Sequence, residues 1–146
     1  MSKTLKVKIK KLDPRAVIPT YSNLGDACLD ITAISETIVE ESGFGFIEYG
    51  TGLAFQFPDN YVMEIYPRSS ISNTGLILAN SPSQIDSSYR GEVKLRFKWV
   101  KGSVKYNVGD RIAQLKIVPY PTVVFEEVEE LDATVRSSGA FGSSGK

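Results

Sequence analysis

The segment Asn80-Ser-Pro-Ser-Gln-Ile-Asp-Ser-Ser-Tyr-Arg-Gly-Glu92 interrupts apolar, strand-like sequence with groups suited to proton transfer and recognition. Asp86 is an acid that can take a proton, Asn80 an amide that both donates and accepts, and Tyr89 a flat ring with a polar tip. Ser81-Pro82-Ser83 is a turn signal between Ile77-Leu78-Ala79 and the alternating Val93, Leu95, Phe97 and Trp99. The pattern predicts a hairpin tip followed by a long strand. A reversal near Pro82 to Gln84 would set Asn80 beside Asp86. Taken alone, the stretch also reads as an ordinary exposed polar loop. A second stretch with chemical potential closes the chain. Residues 136–146 are rich in Gly and Ser, as a linker is, yet they carry Arg136 and an aromatic ring at Phe141 between Gly139 and Gly142. Backbone N–H groups at glycines, the hydroxyls of Ser143 and Ser144 and a guanidinium fork suit phosphate oxygens, and Phe141 suits a flat base.

Composition limits what these groups can do. Lys plus Arg and Asp plus Glu each number 17, so the net charge is zero, and a nucleic-acid-coating role is not expected. The chain has no histidine. That removes the usual general base, a common zinc ligand and the Ser-His nucleophilic pair, and leaves proton transfer to a carboxylate. Cys28 is the single cysteine, so an intrachain disulfide and a thiolate zinc cluster are excluded and a reducing, cytoplasmic setting is expected. No apolar run reaches the roughly 18 residues of a membrane span, and Met-Ser-Lys-Thr-Leu-Lys lacks the apolar core expected of a signal peptide.

The elements that must position these residues are short strands. Leu5 to Lys11 alternates apolar and basic, with Lys6, Lys8 and Lys10 on one face, as in a protected edge strand. Further strands are expected at Cys28 to Ala33, Glu36 to Glu40, Gly43 to Tyr49, Leu53 to Phe57, Tyr61 to Tyr66, Glu92 to Val100, Arg111 to Val118 and Thr122 to Val128. Ser69 to Asn73 offers one helical turn. Strands at this spacing predict an all-β sandwich or barrel, with residues 1–135 as one domain and residues 136–146 as a flexible arm.

Five short stretches, in order, resemble the motifs of the trimeric deoxyuridine triphosphatase (dUTPase) family. Asp26-Ala-Cys-Leu-Asp-Ile31 is similar to Ala-Gly-x-Asp-Leu, and Pro67-Arg-Ser-Ser-Ile71 to Pro-Arg-Ser-Gly/Ser-Leu. Ile85-Asp-Ser-Ser-Tyr-Arg-Gly91 resembles Ile-Asp-x-Asp-Tyr-x-Gly, and Gly109-Asp-Arg-Ile-Ala-Gln-Leu115 matches the fourth motif. Arg136 to Gly145 resembles the glycine-rich fifth. Cys28, Ser137, Ala140 and Ser83 stand where the family commonly has glycine, and Ser88 where a second acid is common. Ala140 and Ser83 are the substitutions expected to alter backbone geometry, since a glycine lost at positive φ costs on the order of 1 kcal/mol.

The resemblance implies a jelly-roll-like homotrimer with shared active sites that hydrolyses dUTP to dUMP and pyrophosphate. It implies Asp86 as general base on the attacking water, with Gln114 beside that water or the phosphates. Arg68, Ser69 and Ser70 would hold phosphates, and Arg136, Phe141, Gly142, Ser143 and Ser144 would close over the substrate. Asn80, Ser83 and Ile85 would read the uracil edge, and Tyr89 would pack on the sugar to exclude a 2'-hydroxyl. Mg²⁺ would ride on the triphosphate and its waters, with Asp30 as a partner one shell removed. Two alternatives stand beside this reading: a dCTP deaminase of the same fold, and a catalytically silent β trimer that binds nucleotide or a protein partner.

Overall fold

A computed structural model describes residues 4–145. Alternation of apolar and polar residues builds ten short strands: β1 (Lys8–Lys11), β2 (Leu29–Thr32), β3 (Ser35–Glu41), β4 (Phe44–Gly50), β5 (Leu53–Gln56), β6 (Tyr61–Tyr66), β7 (Leu76–Leu78), β8 (Ser83–Asp86), β9 (Lys94–Trp99) and β10 (Arg111–Pro119). They form one sheet in the order β2-β10-β6-β8, a second in the order β3-β4-β9-β7, and a two-stranded ribbon of β1 and β5. All pairings are antiparallel. Ser69–Asn73 is a 3-10 turn, at the position expected for the lone helical turn. Among the described residues, no helix is long and apolar enough to cross a membrane.

One apolar core lies between the inner faces of the two four-stranded sheets. Ile31, Met63, Ile65 and Leu115 enter it from one sheet and Ile47, Tyr49, Leu95 and Phe97 from the other. Tyr49 and Tyr106 meet Phe97 edge-on, with ring centroids 5.4 and 5.9 Å away, a favoured arrangement for ring quadrupoles. The all-β jelly-roll-like expectation therefore holds.

Two local expectations do not. Ile77 to Ala79 and Ser83 to Asp86 are not the arms of a hairpin: β7 pairs with β9 in one sheet and β8 with β6 in the other. Residues 79–82 thus cross from one sheet to the next, and Asn80 and Asp86 do not face each other. The turn chemistry is real, since the Ser83 hydroxyl donates to the Asn80 carbonyl at 2.8 Å, but it turns the chain between layers. Thr122 to Val128 forms no strand either. After β10 every residue from Tyr120 to Ser138 is exposed, including Val124 at 90% and Phe125 at 93%. Its alternation is strand-like, but no strand of its own chain lies beside it to complete a ladder.

Thr51, only 1% exposed, ties the layers together: its hydroxyl donates to the Val93 carbonyl at 2.7 Å and accepts from the Leu53 amide at 3.3 Å. Thr51→Val keeps the shape and leaves both backbone groups without that partner. Chemical denaturation should show a loss of about 1–3 kcal/mol, and a variant as stable as the parent would show that the hydroxyl is not a structural tie.

Candidate active site

The expected site residues fall into two groups on the sheet and a third set near the end of the chain. The first is cationic and lies at one end of the β2-β10-β6 sheet, where Gln114 on β10 is opposite Asp30 on β2 and Tyr66 on β6. The Gln114 side-chain amide donates to the Pro67 carbonyl at 3.0 Å, which pins the start of the Pro67-Arg-Ser-Ser stretch. Arg68 Nε meets Asp30 Oδ1 at 3.1 Å, and Arg68 Nη1 donates to the Arg111 carbonyl at 3.0 Å. Arg111 Nη1 donates to Asp30 Oδ2 and to Ser22 Oγ, both at 2.9 Å, and the Ser22 hydroxyl also donates to Asp30. Two guanidinium groups on one carboxylate leave an excess of positive charge, the sign that a phosphate chain needs. Ser69 is exposed at the start of the 3-10 turn, whereas the Ser70 hydroxyl lies 3.0 Å from the Tyr106 hydroxyl. Cys28 is half-buried nearby, and its thiol is pushed up chiefly by burial, so it is no activated nucleophile.

The second group lies on and after β8. Ser83 is buried, Ile85 half-buried, and Asn80, Asp86 and Tyr89 exposed. Among the described residues the Asp86 carboxylate meets no hydrogen-bond donor, so its oxygens are free to accept from water. A turn links the two key side chains: the Tyr89 amide donates to the Asp86 carbonyl at 3.1 Å, and the Tyr89 hydroxyl donates to the Glu92 carbonyl at 2.9 Å. That second bond folds the ring back over Gly91.

The two groups do not meet within one chain. Asp86 is opposite Val62 and Gln114 is opposite Tyr66, so they stand at different ends of β6, about 13 Å apart along the strand. Asp30 lies a further step away, because β2 and β8 are the two edges of the four-stranded sheet, about 14 Å apart. The third set, Arg136, Phe141, Gly142, Ser143 and Ser144, joins neither group. Among the described residues, every hydrogen bond of segment 123–145 is internal to it, as in Arg136 Nε to the Gly139 carbonyl at 2.9 Å. Besides Gly142 and Gly145, the positive φ angles there belong to Ser137 and Phe141, both at 50°, and not to Ala140. Ser83 also lies outside the left-handed region, so the glycine replacement that strains the backbone is Ser137.

Arg111, Ser22 and Tyr106 belong to this site and were not singled out from the sequence. The signal for Arg111 was present: Ile112 and Ala113 are consecutive apolar residues, and both are fully buried, which breaks strand alternation beside the Gln114 position.

The dUTPase family model matches residues 15–145. The chain belongs to the dUTPase family. The deoxyuridine 5'-triphosphate nucleotidohydrolase of Nautilia profundicola is 40% identical over 144 residues, covering 97% of this chain and all of that one. That of Helicobacter hepaticus is 37% identical over 147 residues, covering 99% and 92%. Among solved structures, a dUTPase of Staphylococcus bacteriophage 80alpha with dUpNHpp superposes with a TM-score of 0.82 at 25% identity, covering 98% of this chain and 100% of that one. A dUTPase of phage phi11 of S. aureus, described with a structural Mg(II) ion, shares the fold at a TM-score of 0.72 and 24% identity over 88% and 99% of the two chains. This dUTPase is thus a hydrolase with an all-β fold.

A methyl group placed at Gly91 would lie 2.5 Å from the Tyr89 hydroxyl oxygen and 2.7 Å from the ring carbon that carries it. Gly91→Ala should therefore push the ring off the Glu92 carbonyl with little effect on folding. We expect an unchanged melting temperature and a rise of about tenfold in hydrolysis of UTP relative to dUTP. Unaltered discrimination would mean that the Tyr89 ring does not guard the sugar.

Proposed function

We propose that the chain hydrolyses dUTP to dUMP and pyrophosphate in a homotrimer whose sites are shared between subunits. The observation that carries this reading is the separation of the free carboxylate of Asp86 from the cationic group of Arg68 and Gln114 on opposite ends of β6. In-line attack needs base and phosphate within one water of each other, so the two groups must come from different copies. Closed symmetry then supplies each site with Asp86 from one subunit and Arg68 from the next. The exposed apolar residues Val123, Val124 and Phe125 also call for a neighbour. An open groove of about 800 Å³ beside β1, lined by Leu5, Val7, Ile9, Leu29, Phe55 and Ile117, suits such a strand. Glu126, Glu127, Glu129 and Glu130 would then approach the exposed Lys6, Lys8 and Lys10 of a neighbouring copy.

Asp86 takes a proton from the attacking water, a contribution of about 10² to 10⁴ in rate. Arg68 and Ser69 hold phosphate oxygens, Ser70 braces that turn through Tyr106, and Gln114 orients the water or an α-phosphate oxygen. Asn80, Ser83 and Ile85 present polar backbone and the Asn80 amide to the uracil edge, while Tyr89 stands against the sugar. The exposed Asn80, Asp86 and Tyr89 set favours the triphosphatase over a deaminase. Among the described residues no group of three or more acidic or cysteine side chains could cage a metal, and Asp30 is already held by two arginines. The donor set therefore fits Mg²⁺ carried by triphosphate oxygens and water, with Asp30 reaching it through a water. When bound, the ion would neutralise charge on the departing pyrophosphate. Arm residues 136–145 close over the complex, Phe141 on the base and Arg136, Ser143 and Ser144 on phosphates. Closure excludes water and fixes the triphosphate.

Asp86→Asn should lower pyrophosphate release from dUTP by at least about a hundredfold while sparing binding of a non-hydrolysable analogue. More than a tenth of the parent rate would point to another base. Co-refolding Asp86→Asn with Arg68→Ala chains gives the test of shared sites. Each variant alone should retain only a small, measurable residual rate, yet about a quarter of the sites in random mixtures combine both intact groups. A mixture as inactive as its parts would place the whole site in one subunit. Deleting residues 136–146 should leave a folded, thermally similar protein with severely reduced turnover, and a near-parental rate would reject closure.

A further inference from the structure

We infer that Arg111, assisted by Ser22, is a positioning residue for the phosphate half of the site: it fixes the Asp30 carboxylate, and the fixed carboxylate aims Arg68. This rests on the dUTP-hydrolysing reading and adds to it two residues to which no role in that reaction was given.

In a regular strand, residues three apart face opposite sides, so Arg111 would point away from Gln114 and toward the core. β10 is not regular there. Arg111 is opposite Thr32 and Ala113 opposite Ile31, so two steps on β10 match one step on β2. The extra residue lets Ile112 and Ala113 both enter the core at 0% exposure, and it brings Arg111 out on the face that carries Asp30 and Gln114. Such a bulge breaks the ladder beside β2, and its effect here is to re-aim one guanidinium.

That guanidinium meets Asp30 Oδ2 and Ser22 Oγ from a single nitrogen, both at 2.9 Å, while Arg68 Nε takes Asp30 Oδ1 at 3.1 Å. Arg111 holds Arg68 by a second route as well, since its own carbonyl accepts from Arg68 Nη1 at 3.0 Å. With Nε and Nη1 engaged, the planar guanidinium of Arg68 has one orientation left, and its Nη2 edge is the one free for a phosphate. The Asp30 and Arg68 side chains are 13% and 25% exposed against 52% for Arg111. The carboxylate at the centre is thus shielded, and the arginine that fixes it from outside stays partly wet. Ser22 adds a hydroxyl from the loop before β2, which ties the loop to the same carboxylate.

Steady-state pyrophosphate release from dUTP tests this with four variants. Arg111→Ala should lower kcat/KM by about 10- to 100-fold, chiefly through KM because Arg68 contacts phosphate in the ground state, with a melting temperature within a few degrees of the parent. Arg111→Lys should recover little, since one ammonium does not reproduce the planar fork. Ser22→Ala should give a loss of about two- to fivefold through the same route. In an Arg68→Ala background, Arg111→Ala should add less than about a threefold further loss, because the residue that it positions is gone. Arg111→Ala within twofold of the parent, or losses that multiply in full in the double variant, would overturn the inference and leave the dUTP reading standing. A parent protein that releases no pyrophosphate from dUTP would overturn both.

Discussion

The pairing of β6 on both its edges is the constraint from which the site follows. Met63 and Ile65 are fully buried, so Val62, Glu64 and Tyr66 must face outward, and a slip of one residue would turn charge into the core. With that parity fixed, slips by an odd number of residues are excluded, and β8 pairs with Asp86 opposite Val62 and β10 with Gln114 opposite Tyr66. This register sets the distance between the free carboxylate and the cationic group. The fold holds both groups firmly and holds them apart. In the proposed homotrimer, chemistry that needs them together would belong to the assembly and acquire the concentration dependence of any associated state.

Much of this architecture was legible because strand parity is a local property. The basic residues Lys94, Arg96 and Lys98 face out and Leu95 and Phe97 face in, as their spacing predicts, and Lys6, Lys8 and Lys10 are exposed on and beside an edge strand. What alternation does not encode is the partner. Ser81-Pro82-Ser83 signalled a reversal, and a reversal exists, but whether it joins neighbours in one sheet or passes between sheets depends on which strands compete for β6 and β9. Thr122 to Val128 failed for a related reason. Its pattern is that of a strand, and a strand without a ladder partner leaves its backbone groups to water.

The cationic group was read in part. The motif residues Arg68, Ser69, Ser70 and Gln114 stand at one end of the sheet with Asp30, but the residues that hold them were hidden. Simple alternation counted from Gln114 would turn Arg111 toward the core, and the bulge between them brings it back to the outer face. Tyr106 lies in the loop between β9 and β10, and its contact with Ser70 spans a sequence separation that no local pattern reports. Its backbone is itself held by the buried Tyr49 hydroxyl, 2.8 Å from the Tyr106 carbonyl, so the 3-10 turn that carries Ser70 is braced from the aromatic core. Glycine replacement was misjudged for a conformational reason: Ala140 and Ser83 lie outside the left-handed region, and the non-glycine residues of the last segment that lie in it are Ser137 and Phe141.

The two halves of the site are prepared to different degrees, and the difference has a physical logic. Arg68 is held before any substrate arrives, so the entropy of ordering a long cationic side chain is settled on folding and is not subtracted from binding. Asp86 is left without donors, because a carboxylate already satisfied by N–H groups would be a weaker acceptor of a water proton. The arm carries Phe141 fully exposed. In the proposed mechanism its ordering would depend on contact with a bound nucleotide, which would couple closure to the presence of substrate. In the proposed mechanism, held cations, a free carboxylate and a late-closing arm would thus divide the work among three parts of the sequence. The zero net charge of the chain conceals that division, since local excess of positive charge at Arg68 and Arg111 is balanced by the acidic run from Glu126 to Asp132 between β10 and the arm.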